Sequence, residues 1–361
     1  MQQILKGYEN IEKALKEVGS ERYLLVCDAS FPFLPIKDVF KPAAVFDQFT
    51  PNPLYEQVCK GVELFNREQC DTIVAVGGGS TIDVAKCIKL YCRMDTAVNY
   101  LEQECKDSGV PLIAIPTTAG TGSESTRYAV IYYEGKKQSV THESIIPNYA
   151  ILESMLLKSL PLYQKKCTML DALCQCIESL WSVNSTDESM MYAMNGLQMI
   201  IEHWQGYNED NNEEDARYVM MAANYGGRAI NISQTTAPHA MSYKLTSMYK
   251  LPHGHAVALC LPEVWMYMME HPEECKDPRG VDHLEFIFEQ LGRIMRCDSA
   301  EKGLMMFRTI ISSLDMALPH GNDREKEIDI LVKSVNPVRL KNNPVPLTED
   351  VIRQIYERIV L

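Results

Sequence analysis

The chain has 361 residues, of which 46% are hydrophobic, and carries a formal net charge of −13 with a pI near 5.2. That apolar content supplies one large core or two smaller ones, with two domains as the expectation, and the acidic balance argues against nucleic acid or an anionic membrane surface as a partner. Twelve cysteines without paired C-x-x-C spacing, no charged and apolar leader pattern, and no apolar run near the ~20 residues of a membrane span lead to the expectation of a reduced, soluble, cytoplasmic protein.

In chain order, the apolar runs RYLLVCD (22–28), AAVFDQF (43–49), TIVAVGGG (72–79) and VPLIAIPTT (110–118) each predict a buried strand ending in turn or small polar residues. Between them, residues 54–70 and 81–93 repeat apolar positions at helical spacing. Alternation of strand and helix predicts a parallel, Rossmann-like sheet covered on both faces. Residues 127–140 read as a hairpin turning at Glu134-Gly135, followed by one more apolar run, YAILE (149–153). After about residue 156 long helical patterns take over. The expected division is therefore an α/β dinucleotide-binding domain over 1–156 and an all-α domain over 157–361. The acidic tract at 206–215 is expected as a surface loop or helix break, and KNNPVPLTED (341–350) as a loop into a helix capped near Thr348 or Asp350.

GGGSTIDVAK (77–86) follows a strand and opens a helix. Ser80 is expected to cap that helix with Asp83 as its box partner, while Gly77, Gly78 and Gly79 let a phosphate approach the amides at the positive end of the helix dipole. A tight turn needing glycine for its dihedrals explains the glycines equally well. The second cluster, PTTAGTGSES (116–125), tips the balance to a diphosphate cradle by adding the hydroxyls of Thr117, Thr118, Thr121 and Ser123 after the next strand. Asp28 ends the first strand, where a carboxylate binds ribose hydroxyls and repels a 2′-phosphate, favouring NAD(H) over NADP(H). Lys137 either reaches a ribose or phosphate or is simply solvated. Asn52 in TPNP is either a turn residue or a ligand contact.

In DALCQCIES (171–179), Asp171 and Gln175 share one helix face. His239 lies in a helical pattern and His253 stands just after Pro252. One carboxylate and two imidazoles form a ligand set for Fe²⁺ or Zn²⁺ that leaves positions open for a substrate oxygen.

The order GGGSTIDVAK, TTAGTGSE, D-A-L-x-x-x-I-E and H-x(13)-H-G resembles the iron-containing alcohol dehydrogenase family, whose fold is shared with dehydroquinate synthase and glycerol dehydrogenase, over essentially the whole chain. The resemblance implies a metal held at Asp171, Gln175, His239 and His253, with Gln175 where the family has a histidine. A neutral amide oxygen is a poorer ligand than imidazole, so weaker metal retention, or a Gln175 turned toward substrate, is expected. Tyr243 stands where the family commonly has another histidine. Its phenol, ordinarily titrating near ~10, either donates to the alcohol product, with His255 taking the relay role, or packs between helices. The implied reaction is hydride transfer between NADH and a small-molecule aldehyde, with a dimer or larger homo-oligomer in which an N-terminal strand pairs across the interface.

Arg127 and Lys244 are the cations near these motifs, each either an anion-binding group for substrate or an ordinary ion pair. Together with TTAPHAMSYKLT and LPHGHAVA, they give a resemblance to a narrower branch, the phosphonoacetaldehyde reductases. A related alcohol or sugar-acid dehydrogenase, or a lyase of the dehydroquinate synthase type that recycles its NAD, stands as the alternative.

Overall fold

The computed structural model describes residues 2–210 and 212–361. The strands are β1 (Gln3–Lys6), β2 (Tyr23–Cys27), β3 (Ala44–Phe46), β4 (Thr72–Gly77), β5 (Leu112–Pro116), β6 (Tyr128–Tyr133), β7 (Lys136–Thr141) and β8 (Tyr149–Leu152). Six of them form one parallel sheet in the order β1-β8-β5-β4-β2-β3, and β6 and β7 form a separate antiparallel hairpin. The first helices are α1 (Ile11–Glu17), α2 (Tyr55–Arg67) and α3 (Gly79–Tyr91).

Alternate side chains of each strand point to opposite faces, and both faces are covered. Leu24, Val26, Ile73, Ala75, Leu112 and Ala114 pack in one core with α2 and α3 residues such as Val58, Phe65 and Ile88. Leu25, Val74, Val76, Ile113 and Ile115 pack in the other with Ile11 and Ala14 of α1. This double burial is why the strands read as unbroken apolar runs. The hairpin turns at Glu134 and Gly135, both at positive φ. The N-terminal strand β1 lies at the edge of the sheet and pairs with β8. β1 carries only four residues, too few for a sequence pattern.

The chain divides into two compact units, Met1–Leu160 and Pro161–Leu361. The second is helical: α4 (Leu162–Trp181), α5 (Asp187–Glu209), α6 (Glu213–Ser233), α7 (Ala237–Tyr249), α8 (His253–Glu270), α9 (Val281–Ile294), α10 (Ala300–Ser313), α11 (Arg324–Ser334), the short α12 (Pro337–Leu340) and α13 (Glu349–Ile359). Trp181, Trp265 and Phe288 meet ring to ring where α4, α8 and α9 pack. The acidic tract is a helix break: α5 runs into it as far as Glu209, and Asn212 caps α6 by accepting from the Glu214 and Asp215 amides. Position 211 lies outside the described residues. Of the two candidates Thr348 and Asp350, Thr348 caps α13 by accepting from the Val351 amide. Among the described residues no helix is long and apolar enough to cross a membrane.

Candidate functional site

In the first unit the two glycine and threonine loops meet at the carboxyl ends of neighbouring strands. β2 connects outward to β3, whereas β4 connects the other way to β5, so the carboxyl ends of β2 and β4 flank the point where the strand order reverses. Ligands of open α/β sheets bind there. Asp28 follows β2 and Gly77 ends β4. Asp28 accepts hydrogen bonds from the backbone and hydroxyl of Ser30 and, at 3.3 Å, from Thr81 in the first turn of α3. The Asn52 amide donates to Ser80 Oγ at 3.4 Å, with Asn52 itself in a left-handed turn conformation.

None of Gly77, Gly78 and Gly79 has a positive φ. Dihedral demand therefore does not explain the glycines. Crowding does: a Cβ at Gly77 would come 2.3 Å from the Thr81 hydroxyl, one at Gly78 3.3 Å from Thr118, and one at Gly79 2.8 Å from Thr121. Thr117, buried, donates its amide to the Gly77 carbonyl and so joins the loops. The capping box expected from Ser80 and Asp83 does not form. Gly78 is the N-cap of α3 and no side chain caps it, which leaves the first-turn amides to a ligand, the arrangement that receives a diphosphate.

Two residues expected to face the cofactor turn inward. Ser123 donates to Asp83 at 2.6 Å, and Asp83 also accepts from the Val130 amide at 2.9 Å. Beside them is Lys86, a residue of the motif without an expected role. Its ammonium is fully buried and donates to Ser123 Oγ, Thr126 Oγ1 and the Thr126 and Tyr128 carbonyls at 2.7–3.1 Å. Asp83 and Ser123 thus hold the second loop on α3. Lys137 lies on β7 opposite Tyr132, close enough to Asp83 for its charge to favour that carboxylate. Arg127 is ion-paired with Glu143 and hydrogen-bonded to the Tyr128 hydroxyl at 3.3 Å, the structural pair that adjacency in sequence could not reveal.

In the second unit α4 presents Asp171, Gln175 and Glu178 on one face, all buried. α7 brings His239 in its first turn, and α8 begins at His253. The ligating atoms of Asp171, His239 and His253 lie within 4.8 Å of one another. Asp171 Oδ1 is 3.4 Å from His239 Nε2 and 3.9 Å from His253 Nε2. Donors bound to one ion at about 2.0–2.2 Å in tetrahedral geometry stand roughly 3.3–3.6 Å apart, so the Asp171–His239 pair matches a shared cation and His253 stands slightly wider. Asp171 Oδ1 and His239 Nε2 are buried and have no hydrogen-bond partner, a costly state that an ion between them relieves.

The approach of α8 depends on Gly254. A Cβ there would come 1.9 Å from the Cys167 carbonyl and 2.8 Å from the Asp171 backbone and Cβ. Glu178, present in the motif but given no role by the sequence, is hydrogen-bonded to His239 Nδ1 and accepts from the Thr236 amide and hydroxyl at 2.7 and 3.0 Å. That contact fixes the His239 tautomer with Nε2 directed at Asp171. Burial by itself would lower the His239 pKa, but Glu178 and Asp171 outweigh it and raise it to about 9. Burial would raise Asp171, and the neighbouring His239 and His253 rings, with Gln175, hold it below the usual carboxylate value.

Gln175 lies one helical turn beyond Asp171 on α4. Its hydrogen bond favours ionised Asp171, and its Oε1 lies toward Gly226 of α6, 3.3 Å from where a Cβ there would stand. Its amide thus braces the carboxylate. Tyr243 lies parallel to the His253 ring, with centres 5.5 Å apart and planes 2° apart, so it belongs to the site. His255 does not join the triad: its Nδ1 is 2.8 Å from the Tyr163 hydroxyl, and burial lowers its pKa. Lys244 is half-buried on α7.

Two family models match the chain, iron-containing alcohol dehydrogenase over residues 3–154 and the C-terminal region of the Fe-containing alcohol dehydrogenase family over 166–360. The chain belongs to the iron-containing alcohol dehydrogenase family and is an oxidoreductase acting on alcohols, a class that uses a nicotinamide cofactor and a divalent metal. It is 28% identical over 361 residues to the NAD-dependent methanol dehydrogenase of Bacillus methanolicus, covering 95% of this chain and 93% of that one. It is 32% identical over 255 residues to the phosphonoacetaldehyde reductase of Streptomyces viridochromogenes, covering 67% and 65%. Among solved structures, the sulfoacetaldehyde reductase of Bifidobacterium kashiwanohense in complex with NAD+ superposes with a TM-score of 0.86 at 25% identity, over 99% of this chain and 96% of that one.

Proposed function

We propose that this chain is an NADH-dependent, iron-using reductase of short aldehydes bearing an anionic head, with phosphonoacetaldehyde as substrate and 2-hydroxyethylphosphonate as product. The observation that carries the reaction class is the buried convergence of Asp171 Oδ1 with Nε2 of His239 and His253. The substrate class rests on likeness to two reductases named for phosphonate and sulfonate aldehydes. In this reading the first unit binds the dinucleotide, with diphosphate on the first turn of α3 and ribose on Asp28, which favours NADH over NADPH. The working protein is a homodimer or larger assembly.

Asp171, His239 and His253 would hold Fe²⁺ or Zn²⁺, which supplies a Lewis acid for the substrate oxygen while NADH supplies the hydride. With a cation in the site, Glu178 would keep the remaining His239 proton on Nδ1 and leave the Nε2 lone pair to the ion. Gln175 steadies the ionised Asp171. Tyr243, stacked on His253, donates a proton to the substrate oxygen as the carbonyl carbon is reduced, so the aldehyde leaves as an alcohol. Gln175→His, which places an imidazole beside Asp171, is expected to tighten metal binding; unchanged affinity would keep residue 175 away from the ion.

A neutral short-chain alcohol is the second reading. It is favoured by the match to methanol dehydrogenase, which runs over 95% of this chain against 67% for the phosphonate enzyme. Rates of NADH oxidation with phosphonoacetaldehyde and with propanal, on protein loaded anaerobically with Fe²⁺, separate the two. Preference for the phosphonate supports the first reading, and preference for propanal selects the second. Turnover without stoichiometric NADH consumption contradicts both.

A further inference from the structure

A cation the sequence did not single out stands over the site. Arg339, in α12, places its guanidinium carbon 5.5 Å from the centre of the Tyr243 ring. That ring is the one stacked on His253. Guanidinium, phenol and imidazole therefore form a connected run that ends at a candidate metal ligand, all within the second unit.

Arg339 is half-buried and has no ion pair among the described residues. Arg127, by contrast, is tied to Glu143. The backbone that carries Arg339 is held at both ends. Asn336 accepts from the Val338 amide at 2.9 Å. Asn342 donates to Gln234 Oε1 and the Thr235 carbonyl, accepts from the Asn184 side chain, and receives the Val183 amide on its carbonyl. These bonds fasten the turn to the segments that follow α4 and α6. α12 itself packs on α7, the helix of Tyr243 and His239. The planar fork of a guanidinium matches a tetrahedral oxyanion at two points, and a stacked aromatic face limits the orientations it loses on binding.

We propose that Arg339, seated on Tyr243, binds the anionic head of the substrate and so sets selectivity for short aldehydes carrying a phosphonate or sulfonate group. This rests on the reading of the site as an aldehyde reductase with an anionic substrate. It moves the anion-binding role from Arg127 to a residue whose chain neighbours contain no recognisable motif.

The test compares wild type with Arg339→Gln and Arg339→Lys for reduction of phosphonoacetaldehyde and propanal, with bound metal measured in each. Arg339→Gln is expected to lower kcat/KM for phosphonoacetaldehyde by about tenfold or more, mainly through KM, as loss of a charge-assisted contact does. Propanal is expected to stay within about twofold, and Arg339→Lys to recover part of the loss. Equal losses on both aldehydes, or a phosphonate preference that survives in Arg339→Gln, would overturn the assignment to Arg339. A wild-type enzyme with no preference for the phosphonate would instead overturn the anionic-substrate reading on which it rests.

Discussion

His239 cannot hold a cation and point the wrong nitrogen at it. The Glu178 carboxylate decides which nitrogen faces Asp171, and Glu178→Gln is therefore expected to weaken Fe²⁺ or Zn²⁺ affinity about 10–100-fold, as loss of an outer partner of a metal histidine does. A competition titration against a fluorescent chelator measures this, and unchanged affinity would reduce Glu178 to an anchor for Thr236. Its position was plain in D-A-L-x-x-x-I-E, but its role required knowing that α7 passes beside α4. The same limit misled the reading of Ser80 and Asp83. Their three-residue spacing satisfies a capping box, yet Gly78 is the N-cap and Asp83 is drawn inward by Ser123, Val130 and the buried Lys86. Asp171, His239 and His253 could be singled out because the chain has only eight histidines and the order of its motifs resembles a known family. Arg339 was not, because only tertiary packing lays it on Tyr243.

Two helices owe their places to single residues. Gly254→Ala forces a methyl group against the Cys167 carbonyl and Asp171. It is expected to cost about 1–3 kcal/mol of stability by overpacking and to displace His253, weakening metal binding as well. Thermal unfolding and metal titration of the variant check both; native values for the two would show that α8 has room to move. At α3, burial drives the Lys86 ammonium down to about 8, against the pull of Asp83 and Glu124. Between that value and 10.5 the unfolded chain holds a proton the folded chain lacks, so the Lys86 contribution to stability rises with pH across this window and is lowest below it. The unfolding free energy of wild type minus that of Lys86→Met is expected to climb over the same range. A flat or falling difference in denaturant titrations would contradict a depressed lysine. The strands around α3 were readable because burial on both faces makes them continuous apolar runs. β1 escaped because four half-exposed residues make no pattern.

For the molecule as a whole, each unit is expected to answer its own ligand. Metal bound to the folded chain and not to the unfolded one stabilises it by mass action, by about 2.7 kcal/mol at a hundredfold excess over Kd. Stripping the metal should lower Tm, and adding Fe²⁺ or Zn²⁺ should restore it, while NADH binding persists in the stripped protein because its cradle is built from β4, α3 and the loop after β5. Loss of NADH binding with the metal would contradict that independence. Asp171, His239 and His253 are expected to bind the catalytic metal. The most direct test measures bound iron and NADH-dependent aldehyde reduction together, in wild type and His253→Ala loaded anaerobically with Fe²⁺, with and without chelator. About one iron per active wild-type chain and chelator-sensitive turnover are expected, with iron and turnover both lost in His253→Ala and NADH binding kept. Full turnover by His253→Ala, or turnover in wild type that survives removal of the iron, would contradict that assignment.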